Sequence, residues 1–301
     1  MKPVLYYTDH YTLPLPDGHR FPMVKYRMVR ERLAATGGFD LTPAPLADVS
    51  DIKRVHDATY VDAVLSGTLS APAQRRIGFP WSEGFVQRTL GSAGSTLAAT
   101  EVALRSGWSG TLSGGTHHAF RAEGSGFCAF NDIAIAAQKL LDEGRVNRIA
   151  VIDLDVHQGD GTAEIFNGSP EVFTFSMHCQ VNFPFKKQKS QLDIELAEGL
   201  GDEEYLTTLR ETLPRVAEFR PEFIFYQGGV DVLATDTLGK LRLSPKGVRE
   251  RDRTVFQFVK ELNPVGGVPI VLTQGGGYSK PIELTAEAHA ATFVTALHVF
   301  G

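Results

Sequence analysis

The residues best suited to chemistry lie in Ile149-Ala150-Val151-Ile152-Asp153-Leu154-Asp155-Val156-His157-Gln158-Gly159-Asp160-Gly161. An apolar run there ends in two carboxylates and an imidazole at alternate positions, followed by a third carboxylate between glycines. Side chains two apart on a strand share a face, so Asp153, Asp155 and His157 are expected to project together from the strand's carboxyl end. Open α/β sheets bind ligands at that end. Acids crowded on one face resist ionisation unless a cation sits among them, and a divalent metal answers that need. Asp153, Asp155, His157 and Glu164 also match part of a calcium-loop pattern. The glycine that pattern requires is Gln158 here, and the flank is a β run rather than a helix. Carboxylates alone suit magnesium; the histidine favours zinc or another transition metal.

Further polar clusters follow β-type runs elsewhere. Ser113-Gly114-Gly115-Thr116-His117-His118-Ala119 follows Ser109–Leu112, Gln227-Gly228-Gly229-Val230-Asp231 follows Phe223–Tyr226, and Gln274-Gly275-Gly276-Gly277-Tyr278 follows Val271-Leu272-Thr273. Glycine lets backbone approach a ligand closely. One such turn is ordinary; several that each deliver a functional side chain are harder to dismiss. Asp155, His157 and Asp231 form a two-carboxylate, one-histidine set with a position open for water or substrate, as catalytic zinc sites have. His117 and His118 suit a base and an acid because imidazole titrates near neutrality. Asp153 and Asp160 remain to orient them. Tyr278 can donate to a carbonyl oxygen as negative charge builds on it. The plainer alternatives are structural: a turn aspartate, one core and one exposed histidine, a tyrosine packing its ring. Gly124-Ser125-Gly126-Phe127-Cys128-Ala129 has the spacing of a dinucleotide fingerprint but follows no clear strand. Lys186, Lys187 and Lys189 read as a solvated basic loop.

These clusters need a scaffold that gathers strand ends. Apolar β-type runs recur at Val4–Tyr7, Ile149–Leu154, Glu171–Met177, Phe223–Tyr226 and Val268–Leu272. Helical patterns fall at Val86–Arg105, Asn131–Glu143, Glu203–Phe219, Pro245–Glu261 and Leu284–Val299. The alternation predicts an α/β fold with a mainly parallel β-sheet flanked by helices on both faces. Leu41–Asp51, Ser66–Glu83, Ser113–Gly126 and Gln180–Gly201 read as irregular, and long loops of that kind tend to build a site. A net charge of -5 and a pI of about 6.0 give no electrostatic case for nucleic-acid binding. No apolar run reaches the ~18 residues of a membrane span, and the N-terminus turns polar too soon for a secretory signal. Two cysteines, Cys128 and Cys179, predict buried small side chains in a reducing cytoplasm, without a disulfide.

In order and spacing, Gly114–Ala119, Gly126–Asp132, Asp153–Gly161, Gln227–Asp231 and Gly275–Tyr278 resemble the histone deacetylase family, in its bacterial and class IV-like branch, over nearly the whole chain. The resemblance implies the arginase/deacetylase fold as a single domain over residues 1–301. It implies zinc-dependent hydrolysis of N-acetyl or other short acyl amides, with acetyl-lysine of a protein or peptide as the leading substrate. An acetylpolyamine or other small amide is the alternative within enzymes, and a degenerate acyl-lysine-binding module the alternative outside them. Asp155, His157 and Asp231 resemble the zinc ligands. His117 and His118 resemble the tandem histidines, with Asp153 behind the first and Asp160 behind the second, and Tyr278 resembles the carbonyl-polarising tyrosine. Phe127 and Phe183 match the aromatic walls around the acyl-lysine stem, and Gly126 lines the same tunnel. Leu238 stands at the rim, where polyamine-specialised relatives carry a carboxylate. Backbone oxygens of Asp153, Asp155 and His157, with Ser176 and Met177, resemble a structural potassium site; Phe166, Ser169, Val172 and Tyr205 resemble a second. Gln158 and the segment Lys186–Gly201 depart from the eukaryotic pattern. No nucleic-acid or membrane partner is implied, and no oligomeric state.

Overall fold

The computed structural model describes residues 2–262 and 267–301. Strands β1 (Val4–Tyr7), β2 (Asp40–Pro43), β3 (Trp108–Thr111), β4 (Ile149–Asp153), β5 (Val172–Cys179), β6 (Leu192–Leu196), β7 (Phe223–Gln227) and β8 (Ile270–Thr273) alternate with helices. These are α1 (Val24–Thr36), α2 (Val49–Ile52), α3 (Ala58–Ser66), α4 (Ala71–Ile77), α5 (Glu83–Ser106), α6 (Asp132–Asp142), α7 (Asp160–Ile165), α8 (Asp202–Glu218), α9 (Pro245–Leu262) and α10 (Ile282–Phe300). The strands form one eight-stranded sheet in the order β2-β1-β3-β8-β7-β4-β5-β6. Every neighbouring pair is parallel, rather than most of them. No described helix is long and apolar enough to cross a membrane.

The central strands β3, β8, β7 and β4 are buried along their whole length, as expected of parallel strands covered on both faces. Alternate residues feed opposite cores. Ile149, Val151, Phe223 and Phe225 pack with α5 and α6. Ala150, Ile152, Ile224 and Tyr226 pack with α8, α9 and α10 on the other side. Because these strands are adjacent and parallel, their carboxyl ends lie side by side, and each of the polar clusters follows one of them.

The stretches expected to be irregular are partly ordered. Leu41–Asp51 contains most of β2 and part of α2, Ser66–Glu83 contains α4, and Gln180–Gly201 contains β6. Both omitted strands are sheet edges. No residue of β2 is buried, and only Leu196 is in β6, so neither carries an apolar run. Helices α1, α3 and α7 also lie outside the expected set. In α1 two of the four buried residues are Lys25 and Tyr26, which breaks the apolar stripe.

Candidate active site

Asp155 and His157 stand in the loop after β4, and Asp231 in the loop after β7. One ligand atom from each lies within 4.8 Å of the others. His157 Nδ1 is 3.0 Å from Asp155 Oδ1 and 3.1 Å from Asp231 Oδ2. The loops hold them in place: Val156 N–H donates to Asp231 Oδ1, His157 N–H to Asp155 Oδ1 and Gly276 N–H to Asp155 Oδ2. Gly276 must be glycine, since an added Cβ would overlap the Asp231 carboxylate. Burial and the neighbouring Asp155 push Asp231 up to about 7. Burial opposes charge on His157, yet its hydrogen bonds to Asp155 and Asp231 hold it at about 10. Two carboxylates in so little space call for a positive charge, and the set of two oxygens and one nitrogen fits a divalent metal with an open position.

The tandem histidines lie beside this centre, at the end of β3. His117 Nδ1 donates to Asp153 Oδ2 at 2.7 Å, and His118 Nδ1 to Asp160 Oδ1 at 2.6 Å. Each ring therefore turns its other nitrogen away from its carboxylate. Both histidines are buried, so neither is the exposed partner of the plainer reading. Their protonation differs. Burial works against a charged His117, but Asp153 and Asp155 overcome it and raise it to about 9. Burial and the adjacent His117 lower His118 to about 4. Asp160 opens the short helix α7, so the third carboxylate is a helix-start residue rather than part of a turn.

Tyr278, in the loop after β8, is half-buried, and burial raises its hydroxyl well above the ordinary tyrosine value. A cavity of 940 Å³ gathers His117, His118, Asp155, His157, Asp231 and Tyr278 with Gly126, Phe127, Phe183 and Leu238. Phe183 meets the His118 ring edge-on at 5.0 Å, and Phe127 lies 6.3 Å from Tyr278. Gly126 has φ +54°, and a Cβ there would stand 2.6 Å from His118 Cδ2. The Gly124–Ala129 segment is a tight turn closed by a Ser125–Cys128 bridge, not a nucleotide loop. Lys187 is not simply solvated: its Nζ donates to the carbonyls of Asn182 and Pro184, holding the Phe183 loop.

Of the residues suggested for potassium, Asp155 and His157 line the cavity, whereas Asp153, Ser176 and Met177 do not. Asp153 and Ser176 are register partners on β4 and β5, and Met177 follows. Ser176 Oγ already pairs with His178 Nδ1 at 3.0 Å. At the second suggested site, the carbonyls of Phe166 and Ser169 each accept from Gln191 Nε2 at 3.4 Å.

Several supporting residues escaped the sequence reading. Asp132 accepts from the N–H groups of Gly115 and Thr116 and from the Thr116 hydroxyl, shaping the loop that carries His117. Asp236 accepts from the N–H groups of Tyr278, Leu238 and Gly239, tying the tyrosine to the rim. Asn182 donates to the Leu238 carbonyl and accepts from Lys240 N–H. Arg251, fully buried on α9, donates to the carbonyls of Leu154 and Gly229, one residue before Asp155 and two before Asp231. A helix residue twenty positions from its ligand in sequence leaves no local signal; the place of Asp132 in the first turn of α6 was the one available hint.

The model of the histone deacetylase domain matches residues 19–295. An uncharacterised protein of Picosynechococcus sp. is 44% identical over 99% of this chain and 99% of its own length. Histone deacetylase 2 of Arabidopsis thaliana is 31% identical over 87% of this chain and 70% of its own length. A protein of Methanothermobacter thermautotrophicus named "probable deacetylase" is 31% identical over 91% of this chain and 85% of its own. On these matches, the chain belongs to the histone deacetylase family.

Proposed function

We propose that this deacetylase-family hydrolase removes acetyl groups from lysine in proteins or peptides, using one zinc ion held by Asp155, His157 and Asp231. The observation that carries the reading is the meeting of those donors, two carboxylate-backed histidines and a tyrosine in one aromatic-walled cavity. When bound, the metal supplies Lewis-acid polarisation and a more acidic water.

The chain supplies the rest. Phe127 and Phe183 shield the neutral lysine stem and exclude water. His118, neutral at pH 7 and oriented by Asp160, takes a proton from the attacking water. His117, held protonated by Asp153, faces negative charge developing at the acyl group. Tyr278 stays protonated and donates to the acyl oxygen as its charge grows. A proton then reaches the leaving amine. No covalent intermediate is needed, so positioning and electrostatics carry the rate. Leu238 at the rim offers packing without charge, which favours an acyl-lysine stem over a polyamine. Potassium bound by backbone oxygens near Asp153 and His157 is part of the same proposal. The buried, unpaired Cys128 and Cys179 support a reducing compartment such as the cytoplasm.

The test is a comparison of kcat/KM for acetyl-lysine peptides with that for acetylputrescine and acetylspermidine. Higher values for the peptides are expected; preference for a polyamine would overturn the substrate and leave the amide hydrolysis standing.

A further inference from the structure

One end of the cavity holds positive charge that the proposed deacylation does not use. Arg88, on α5, lines the cavity and is only 8% exposed. Its guanidinium has five donors, yet its hydrogen bonding to described residues is one contact, from Nη1 to Thr8 Oγ1 at 3.0 Å. It lies over the Tyr26 ring at 4.2 Å, and no described carboxylate pairs with it. Lys25 is nearby, against the same ring, and is 1% exposed. Its Nζ donates to the Gly277 carbonyl at 3.3 Å and sits 5.0 Å from the Tyr278 ring centroid, again without a described carboxylate. Buried charges are normally paired. Two unpaired cations beside one cavity leave a place for an anion.

The position indicates which anion. The stem of an acyl-lysine runs between Phe127 and Phe183, and its carbonyl meets Tyr278. An acyl tail continuing past that carbonyl, away from the exposed mouth, would have the buried lining residues Ser92 and Arg88 of the same cavity to meet. An acetyl group ends in a methyl that makes no use of a guanidinium.

We propose that Arg88 forms a carboxylate-binding subsite at the buried end of the cavity, and that it selects acyl groups ending in a carboxylate, such as succinyl or glutaryl. The proposal deepens the lysine-deacylase reading and rests on it. The reaction is the same hydrolysis: water oxygen bonds to the acyl carbon, the C–N bond breaks and the amine takes a proton, releasing lysine and a dicarboxylate. A carboxylate can also reach Arg88 as a free acid, and the two sources are separable.

The decisive comparison is a succinyl-lysine peptide against its succinamoyl isostere, in which a neutral amide replaces the terminal carboxylate. The wild-type protein is expected to favour the succinyl peptide by about tenfold or more in kcat/KM, the scale of a charge-assisted bidentate contact. Arg88→Gln should bring the ratio close to one, and Arg88→Lys should keep part of it. A wild-type ratio at or below one overturns the selection of acyl carboxylates, and needs no variant to fold. A second arm measures carbon-13 NMR line broadening of labelled succinate, against succinamide, on the wild-type protein and Arg88→Gln. Broadening specific to succinate and lost in Arg88→Gln supports the subsite even if no acyl-lysine is turned over, which would instead count against the deacylase reading. Equal broadening of succinate and succinamide overturns the subsite. Arg88-dependent succinate binding without preference for succinyl-lysine assigns the subsite to free acids and overturns its role in acyl choice.

Discussion

The floor of the cavity and its mouth are built differently. On the floor, Asp155, Asp231, His117 and His118 are at most 4% exposed, and each is fixed by hydrogen bonds from other loops. At the mouth, Phe127 and Phe183 are half-buried and Phe185 is 90% exposed. The floor comes from the ends of four adjacent buried strands; the mouth comes from loops. Chemistry is thus over-determined while access is lightly held, so changes at the mouth can alter the substrate without rebuilding the catalytic groups. The contrast reaches down to a single pair. His117 and His118 are neighbours of one residue type, yet Asp153 and Asp155 raise the first to about 9 against burial, while burial and His117 lower the second to about 4.

The sharpest way to break the comparison is on the floor. Asp231→Ala is expected to lose metal and activity together, on the order of 10⁴-fold or more for a group acting as part of a unit, while circular dichroism shows the fold retained. Metal analysis of the purified variant checks it. Next, His118→Ala should keep its metal and lose turnover by about 10²–10⁴-fold, and Tyr278→Phe by about 10²–10³-fold. Wild-type rates in either variant, measured with an acetyl-lysine peptide, would remove its assigned role.

Support beneath the floor should respond to pH. His56 Nδ1 donates to the Phe120 carbonyl and its Nε2 accepts from Asn131 N–H, so it bridges the two ends of the loop containing Gly126 and Phe127. Burial lowers it from 6.5 to about 4. Its folded value lies below its unfolded one, so the unfolded chain binds more protons between those values. The stabilisation is present above pH 6.5 and is lost as pH falls toward 4. The loss attributable to His56 approaches about 3 kcal/mol at 1.36 kcal/mol per unit. Urea midpoints of wild type and His56→Gln across that range should converge at the acid end; parallel curves would exclude His56 as the cause.

The mouth should yield the smallest effects. Phe183→Ala is expected to raise KM by about tenfold with kcat little changed, the pattern of lost uniform binding. Leu238→Glu should move the ratio of kcat/KM severalfold toward acetylpolyamines, by an attraction that salt screens. A fall in kcat as large as that of His118→Ala in either variant would dissolve the division between floor and mouth.

The same division governs what could be read in advance. The buried strands β4, β7 and β8 carry apolar runs, and the polar clusters at their ends stand out against them. The convergence of Asp155, His157 and Asp231 with both histidines and Tyr278 was therefore legible, as was the alternation that makes a parallel sheet. Edge strands β2 and β6 have little to bury and gave no such run. Arg251, Asp236 and Asn182 act through contacts closed only by the tertiary fold, and an isolated Arg, Asp or Asn in the sequence is indistinguishable from a solvated one.

The central claim is that one metal, held by Asp155, His157 and Asp231, makes this cavity a deacetylase site. The most direct measurement is acetyl-lysine peptide hydrolysis by protein stripped with chelator and then titrated with zinc. The account predicts no turnover in the stripped protein and recovery complete at one equivalent, with Asp231→Ala recovering nothing. Full turnover by the metal-free protein would contradict it.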